Sequence, residues 1–231
     1  MPELPEVETT KRGIEPYISN QSIKKILVRN NKLRIPFNKN LAKEITNIEI
    51  RDIKRRAKYI IVDFANGYSM VIHLGMTGNL RVSKKIKYLK HDHIIFYLSS
   101  GNVLIYNDVR RFGLIQIYRT DESFFLLDNN GPDPFEKEAN ADYLFNKIKK
   151  STASIKSILL NHKIISGIGN IYASEILFAT NISPTRLGKD VSYDECKKIL
   201  QESKKILSKA IKAGGTLSLI HISEPTRLES I

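Results

Sequence analysis

The first residues of the chain combine a possible nucleophile with a carboxylic acid. The chain begins Met-Pro-Glu-Leu-Pro, and because Pro2 is small we expect Met1 to be removed, which leaves a free secondary amine beside Glu3. Such an amine attacks a sugar C1′ to form an iminium ion, which is cationic without protonation and withdraws electrons. Its reference pKa is about 7.7–8.0, against about 10.4 for lysine, so more of it is uncharged at neutral pH. Alternatively, Pro2 and Pro5 only shape the start of a helix.

Two internal segments contain basic residues that could contact phosphates or bases. Residues 55–60 form a basic cluster that leads into a strand. The cluster is either a phosphate clamp, with Lys58 near a reaction centre, or a solvated strand end. Residues 107–113 place an arginine pair beside Phe112. There Phe112 could wedge between bases while Arg110 bonds to an orphaned base. The alternative is a surface arginine pair with a buried phenylalanine.

Two glycine-flanked segments point in the same direction with weaker signals. Met76 stands between glycines at a strand end, where it is badly placed for a core and suited to project outwards, although a plain turn is the commoner explanation. Glycines at 167 and 169 precede a helix that begins near Asn170, and the first amides of a helix can receive a phosphate. A glycine-rich loop before a helix is, however, common.

These segments are carried by a chain that changes from strand to helix patterning. Asn66-Gly67 is a strong hairpin signal, and the spacing of strands predicts an antiparallel sandwich or barrel. A helix is predicted at 5–13. The predicted strands are 23–29, 45–53, 59–64, 68–73, 93–98, 103–107 and 114–118.

The second half is predicted to be helical, beyond a turn-rich boundary at 129–134. Its best-specified helix begins at Ser192, where Glu195 completes a capping box, and ends at Gly214-Gly215. Cys196 lies on the apolar stripe of this helix and is therefore predicted to be a core residue rather than a nucleophile.

The amino-acid composition indicates what kind of molecule the protein binds. The 231 residues include 37 Lys and Arg against 24 Asp and Glu, a net charge of +13 that favours a polyanion such as nucleic acid. The single cysteine excludes an internal disulfide and a cysteine-based zinc site within this sequence. No apolar run is long enough to span a membrane and no secretory signal opens the chain, so a cytoplasmic location is expected.

The ordered motifs resemble those of bacterial formamidopyrimidine-DNA glycosylases across residues 2–216. The resemblance rests on the segments 2–6, 73–76, 108–113, 155–157 and 167–175 and on Lys58. Leu4 favours this branch over the endonuclease VIII-like branch, which usually has glycine there. The resemblance implies an α+β fold, with an N-terminal antiparallel β-sandwich over 1–130 and a helical domain with a helix–two-turn–helix motif over 131–216.

The resemblance also implies a function and a set of site residues. Such enzymes remove 8-oxoguanine and formamidopyrimidines from double-stranded DNA through an N-terminal proline Schiff base and β,δ-elimination, and act as monomers. Glu6 is expected to be a supporting carboxylate. The implied catalytic residues are Pro2, Glu3, Lys58 and Glu6, and the implied DNA contacts are His73, Met76, His91, Arg110, Phe112, Lys156 and Asn170.

The end of the sequence departs from the family pattern. The family continues beyond a Gly-Gly-Thr like that at 214–216 into a lesion-covering loop and a four-cysteine zinc finger, whereas residues 217–231 resemble a translated sequencing adapter. We therefore expect a non-native tail, no zinc, no role for His221, and weak DNA binding and cleavage. Two alternatives remain: a non-catalytic binder of damaged DNA, and an endonuclease VIII-like glycosylase for oxidised pyrimidines.

Overall fold

The computed structural model describes residues 1–85 and 87–215, and the tail predicted at 217–231 lies outside them. Two four-stranded antiparallel sheets form the first half, with strand orders β1-β6-β7-β5 and β2-β3-β4-β8. This confirms the predicted α+β class with an antiparallel first half. The strands are β1 (Ile23–Val28), β2 (Ile50–Arg56), β3 (Tyr59–Phe64), β4 (Tyr68–His73), β5 (Gly78–Ser83), β6 (Asp92–Leu98), β7 (Val103–Asp108) and β8 (Leu114–Arg119).

Helices account for the second half and for the N-terminus. A long helix, α1 (Leu4–Ile18), precedes the sheets, and a short one, α2 (Phe125–Asp128), follows them. The remaining helices are α3 (Ala141–Ile148), α4 (Ile155–Leu160), α5 (Asn170–Thr180) and α6 (Tyr193–Lys212). Short 3-10 turns lie at Leu41–Ile45 and Gly188–Asp190.

Local sequence signals explain several of these boundaries. Ser192 caps α6 and exchanges hydrogen bonds with Glu195, as the capping box predicted, and Gly214 follows the helix with φ of +82°. Gly67 adopts φ of +79° in the β3–β4 hairpin, which only glycine adopts without strain. Cys196 is buried in the helical core, as its position on the apolar stripe predicted.

Two predicted element boundaries were wrong, and one strand was missed. The strand predicted at 45–53 begins only at Ile50, because Leu41–Ile45 forms a 3-10 turn before it. Strand β5 was not predicted, since its sequence Gly-Asn-Leu-Arg-Val-Ser contains only two large apolar residues. Helix α1 extends to Ile18 instead of ending at 13, and it includes Pro16 near its last turn.

Helix α1 joins two apolar cores. Val7, Ile14 and Ile18 pack into the core between the sheets, whereas Leu4 packs into the core of the helical half. The first turn of α1 therefore lies at the junction of the two halves, and residues 1–3 are held there. Within the described residues, no helix is long and apolar enough to cross a membrane.

Candidate active site

The Glu3 carboxylate lies on the N-terminus of helix α5. Its Oε2 accepts hydrogen bonds from the Gly169 amide at 2.6 Å and the Tyr172 amide at 3.4 Å, and its Oε1 accepts one from the Ile171 amide at 3.0 Å. Glu3 is 3% exposed. Since the first amides of a helix have no partner within it, a carboxylate placed there is stabilised by hydrogen bonds and by the helix dipole.

Two glycines provide the space for this contact. A Cβ on Gly169 would lie 2.3 Å from Cδ of Glu3, so any larger residue would displace the carboxylate. Gly167 has φ of +86° and would place a Cβ 2.6 Å from Cδ1 of Leu4, while its carbonyl accepts the Leu4 amide at 3.0 Å. The glycine pair thus fixes the N-terminal segment against α5.

Glu6 connects the same elements one turn further along α1. Its Oε2 accepts the Glu3 amide at 2.9 Å, and its Oε1 accepts the Tyr172 hydroxyl at 2.7 Å. Tyr172 was not singled out by the sequence, although it lies in the glycine-rich motif at 167–172. Glu6 therefore holds the backbone of Glu3 in place and ties it to α5.

A cavity of about 460 Å³ opens beside the N-terminus. It is lined by Met1, Lys58, Tyr59, His73 and Arg34, among others. Pro2 is half-buried between Met1 and Glu3. The cavity thus gathers the chain start and two of the other predicted site residues.

Lys58 occupies the tight turn between β2 and β3. Ala57 precedes it with φ of +53°, and Arg56 pairs with Tyr59 across the turn. Burial lowers the pKa of Lys58, although the Glu3 and Glu6 carboxylates act in the opposite direction. Burial likewise raises the pKa of Glu3, although the amide hydrogen bonds to its carboxylate and the charge of Lys58 act to lower it. Both groups are therefore shifted towards their neutral forms, which favours proton exchange at the site.

His73 is held as a neutral donor at the cavity wall. Its Nδ1 accepts the Gly75 amide at 3.1 Å, so the ring proton belongs on Nε2. Burial, together with the positive charges of Arg34 and Lys58, lowers its pKa to about 4. The ring lies against Tyr59, with centroids 4.9 Å apart. His73 can therefore donate one hydrogen bond without carrying a charge.

The three predicted wedge residues project from two adjacent loops. Met76, Arg110 and Phe112 are all exposed, and the Arg110 guanidinium lies 4.8 Å from the Phe112 ring centroid. The alternative of a buried Phe112 is therefore wrong. Gly75 lets the loops approach closely, because a Cβ there would lie 2.4 Å from the Gly113 nitrogen.

Asp108 ties the two wedge loops together from beneath. Its Oδ1 accepts the Thr77 hydroxyl at 2.6 Å, and its Oδ2 accepts the Gly113 amide at 2.9 Å. Thr77 in turn accepts the Arg110 amide at 2.9 Å. Asp108 is fully buried. The sequence placed Asp108 in a motif without a role, and the structure shows that it joins both loops.

We expect Asp108→Asn and Thr77→Val to weaken binding to a duplex that contains an abasic analogue. Asp108→Asn removes an acceptor and Thr77→Val removes a donor from the same hydrogen-bond network. The loss of such a bond costs about 1–3 kcal/mol of binding free energy, or roughly a 5–100-fold loss of affinity. Because both bonds hold the same loops, the double variant should lose little more than either single variant. Fluorescence anisotropy measures the affinities, and fully additive losses would contradict this network.

The basic cluster at 55–60 is divided between two tasks. Arg55 is an interdomain ion-pair residue, not a phosphate clamp or a solvated strand end: it contacts Glu8 at 3.1 Å and Asp133 at 2.8 Å and is about nine-tenths buried. Arg56 donates to the Asn130 carbonyl at 3.3 Å. Among the three cations of the cluster, only Lys58 lines the cavity. Arg55 and Arg56 instead bind the strand to α1 and to the segment after α2.

The other predicted DNA contacts lie at separate points. His91 precedes β6, and its carbonyl accepts the Asp108 amide at 3.1 Å, which places it beside the wedge loops. Asn170 is exposed at the first position of α5, next to Glu3. Lys156 lines a different cavity, of about 610 Å³, together with Phe178 and other residues of 174–184. Lys156 is thus not brought to the Lys58 cavity.

The structure contains no candidate metal centre in the part that it describes. No group of three or more His, Cys, Asp or Glu side chains there could hold a metal ion. The one cysteine, Cys196, is free and buried, so these residues do not fit a four-cysteine zinc site.

Comparison with known proteins gives consistent matches in both halves of the chain. The model of the formamidopyrimidine-DNA glycosylase N-terminal domain matches residues 1–115, and that of the formamidopyrimidine-DNA glycosylase H2TH domain matches residues 130–221. The formamidopyrimidine-DNA glycosylase of Hydrogenovibrio crunogenus is 43% identical over 218 residues, covering 94% of this chain and 78% of the relative. The formamidopyrimidine-DNA glycosylase of Wolbachia pipientis is 44% identical over 217 residues, covering 94% of this chain and 80% of the relative.

Solved structures show the same fold. The Lactococcus lactis formamidopyrimidine-DNA glycosylase, described as non-covalently bound to DNA with an abasic site, superposes with a TM-score of 0.88 at 32% identity, covering 95% of this chain and 85% of that one. A variant of that enzyme described in complex with Fapy-dG DNA gives a TM-score of 0.86 at 34% identity, covering 93% and 80%. With both halves matched in sequence and in structure, the chain belongs to the formamidopyrimidine-DNA glycosylase family.

Proposed function

We propose that the protein is a bifunctional DNA glycosylase and AP lyase of base-excision repair that removes oxidised purines, with Pro2 as nucleophile. Family membership supports the activity, as do the solved relatives, which are described in complexes with damaged DNA. The observation that carries the residue assignment is the Glu3 carboxylate on the amides of α5, directly beside Pro2. That contact fixes the start of the chain at the edge of a cavity.

Pro2 performs the covalent step after removal of Met1. Its nitrogen lone pair forms a bond to C1′ as the glycosidic bond breaks, and the base leaves with a proton. Opening of the sugar ring converts the C1′ adduct into an iminium ion, which acidifies the C2′ hydrogens. Loss of a C2′ proton expels the 3′ phosphate, a second elimination expels the 5′ phosphate, and water then releases the remaining sugar fragment from Pro2.

Glu3 and Lys58 move the protons that these steps require. Glu3 is next to the reacting nitrogen, and its raised pKa makes it a better acceptor and donor near neutral pH than an ordinary glutamate. Lys58, with a pKa lowered by burial, lies across the cavity and can exchange protons or contact a phosphate. Glu6 supports Glu3 through its amide.

The DNA duplex is held by residues around the cavity rim. The target nucleotide must leave the stack, which costs a few kcal/mol. The exposed side chains of Met76, Arg110 and Phe112 fill the space that the nucleotide vacates. His73 donates from Nε2, and His91 and Asn170 are further contacts near the cavity. Lys156 contacts the duplex separately, from the cavity that it lines with residues of 174–184. We propose that the protein acts on double-stranded DNA as a monomer, at the bacterial chromosome in the cytoplasm.

Reductive trapping tests this function. The chain, in excess over a duplex with one 8-oxoguanine or one abasic site, is treated with borohydride so that an iminium is reduced to a stable amine. A protein–DNA complex that survives denaturation is the expected result, with an undamaged duplex as the control. Binding to abasic DNA without any trapped complex would instead assign this chain a binding role alone.

A further inference from the structure

Two segments of the first half of the chain are almost free of acidic residues. Residues 16–43 and 64–107 together contain 12 Lys and Arg and a single acid, Asp92. By contrast, residues 131–215 contain 14 Lys and Arg and nine acids. Most of the net positive charge is therefore carried by these two ranges, which include β1, β5, β6 and all of β7 except Asp108.

The charge of Asp92, the single acid in these two ranges, is balanced by an ion pair with Arg81. Arg81 contacts both oxygens of Asp92, at 2.7 and 2.6 Å, and Asn107 donates to the same carboxylate at 2.8 Å. These contacts lower the pKa of Asp92 to about 2. Asp92 is buried, so it does not screen the exposed lysines around it.

The connection from β5 to β6 forms the centre of the charged face. We call residues 84, 85 and 87–90 the basic strap; its four lysines, Lys84, Lys85, Lys87 and Lys90, are all exposed. The strap crosses the outer surface of the sheet, where Arg81 donates to the Lys87 carbonyl at 3.3 Å. It ends at His91, beside the wedge loops.

Contacts with β1 and β6 hold the strap in place. Arg29 donates to the Leu89 carbonyl at 2.8 Å, and its guanidinium lies 4.8 Å from the Tyr88 ring centroid. The hydroxyls of Tyr88 and Tyr97 are 2.9 Å apart, and Lys25 lies over the Tyr97 ring at 5.7 Å. The strap therefore forms one surface with Lys25 and Arg29, in which the two cations flank the pair of tyrosine rings.

The sheet topology joins this surface to the rim of the site. Gly78 pairs with Asp108, Asp92 with Asn107, and Val28 with Ile94, so the wedge loops, His91 and Arg29 lie at the same end of the sheet. From that end the charged surface follows β6, whose seven residues span about 23 Å at roughly 3.3 Å per residue. That length corresponds to about seven base pairs.

We propose that the basic strap, with Lys25 and Arg29, binds the phosphate backbone of the duplex arm that flanks the lesion. This inference rests on the proposed DNA substrate but concerns contacts outside the nucleotide pocket. The exposed lysines, the absence of acids among these residues and the continuity with the wedge loops all favour a polyanion that extends away from the cavity. Contacts of this kind add affinity without reading sequence.

Salt dependence of binding tests the proposal. The variant Lys85→Gln/Lys87→Gln/Lys90→Gln is compared with Lys197→Gln/Lys204→Gln/Lys209→Gln, which removes the same charge from exposed positions of α6. The affinity of each variant is measured for two duplexes with a central abasic analogue. One duplex has arms of about four base pairs, and the other has arms of about twelve base pairs, which exceed the reach of the strap. Anisotropy at several salt concentrations gives the slope of log affinity against log salt.

We expect the strap variant to reduce that slope by about 2–3 on the long-arm duplex, since each phosphate contact contributes about 0.9. On the short-arm duplex the strap variant should have the same slope as the α6 variant. Equal slopes for the two variants on long arms would overturn the proposal. Borohydride trapping of a saturated short-arm abasic duplex should be unchanged in the strap variant, so failure of the strap proposal is distinct from failure of the proposed function.

Discussion

Replacement of Glu3 by glutamine should reduce the single-turnover rate of base excision about 10²–10⁴-fold, the usual contribution of a positioned acid–base group. Glutamine has nearly the same shape but cannot take up and release a proton at this site. The comparison is made with the protein in excess over an 8-oxoguanine duplex, so that each rate reports the chemical step.

The same substitution should also destabilise the fold. Both oxygens of Glu3 accept amide hydrogen bonds, from Gly169 and Tyr172 on one side and Ile171 on the other. Glutamine has one acceptor oxygen, so its NH₂ group faces an amide donor and leaves it unpaired, at a cost of about 1–3 kcal/mol. Thermal unfolding measures this loss and shows whether the variant is folded at the assay temperature.

Glu15→Gln provides the matched control for Glu3. It removes the same charge from α1, the helix that Glu3 caps, at a position where the Glu15 side chain is partly exposed and makes an ion pair with Lys11 at 2.9 Å. Such pairs contribute about 0–1 kcal/mol, so neither rate nor stability should change much. A folded Glu3→Gln protein that excises the base within tenfold of the parent rate would show that Glu3 does not transfer the proton.

A protein whose N-terminal amine is blocked should lose all covalent trapping. In a chain that retains Met1, or any residue before Pro2, the Pro2 nitrogen is an amide whose lone pair is delocalised into the carbonyl group. Met1 also lines the cavity, so it occupies space beside Lys58. We expect at least a roughly 10³-fold decrease in trapping, because an amide nitrogen cannot form the iminium ion that borohydride reduces.

The matched pair for this prediction differs by a single residue. One protein is processed so that Pro2 is the first residue, and the other retains one glycine before it. Because Met1 is more than half exposed, the extra residue should not change the unfolding temperature. Undiminished trapping in the blocked protein would identify Lys58 or another lysine as the nucleophile.

The strands and the longest helix could be predicted from sequence because their signals are local. Alternating apolar residues, the Asn66-Gly67 hairpin and the Ser192 capping box each depend on neighbours within a few positions. Strand β5 escaped prediction because its pairing with β7, rather than its own composition, makes it a strand. Its partners lie 20 to 30 positions further along the chain, from Ser83 with Val103 to Gly78 with Asp108.

The site itself depends on contacts that no local pattern encodes. Glu3 meets the amides of α5 across 166 to 169 positions, and Arg55 meets Asp133 across 78. The motifs placed Glu3 and Gly169 in the same candidate set, but only the fold shows that the glycine leaves room for the carboxylate. For the same reason, the sequence left the cluster at 55–60 open between a phosphate clamp and a solvated strand end, whereas in the structure Arg55 is a buried ion-pair residue between Glu8 and Asp133.

The most direct test of this account is the position of the trapped DNA adduct. After borohydride reduction, nuclease treatment and digestion at lysine, mass spectrometry locates the sugar fragment on a peptide. We predict that it lies on the peptide from Pro2 to Lys11, attached to the Pro2 nitrogen, and that the peptide lacks Met1. An adduct on a peptide that contains Lys58, with the N-terminal peptide unmodified, would contradict the central claim.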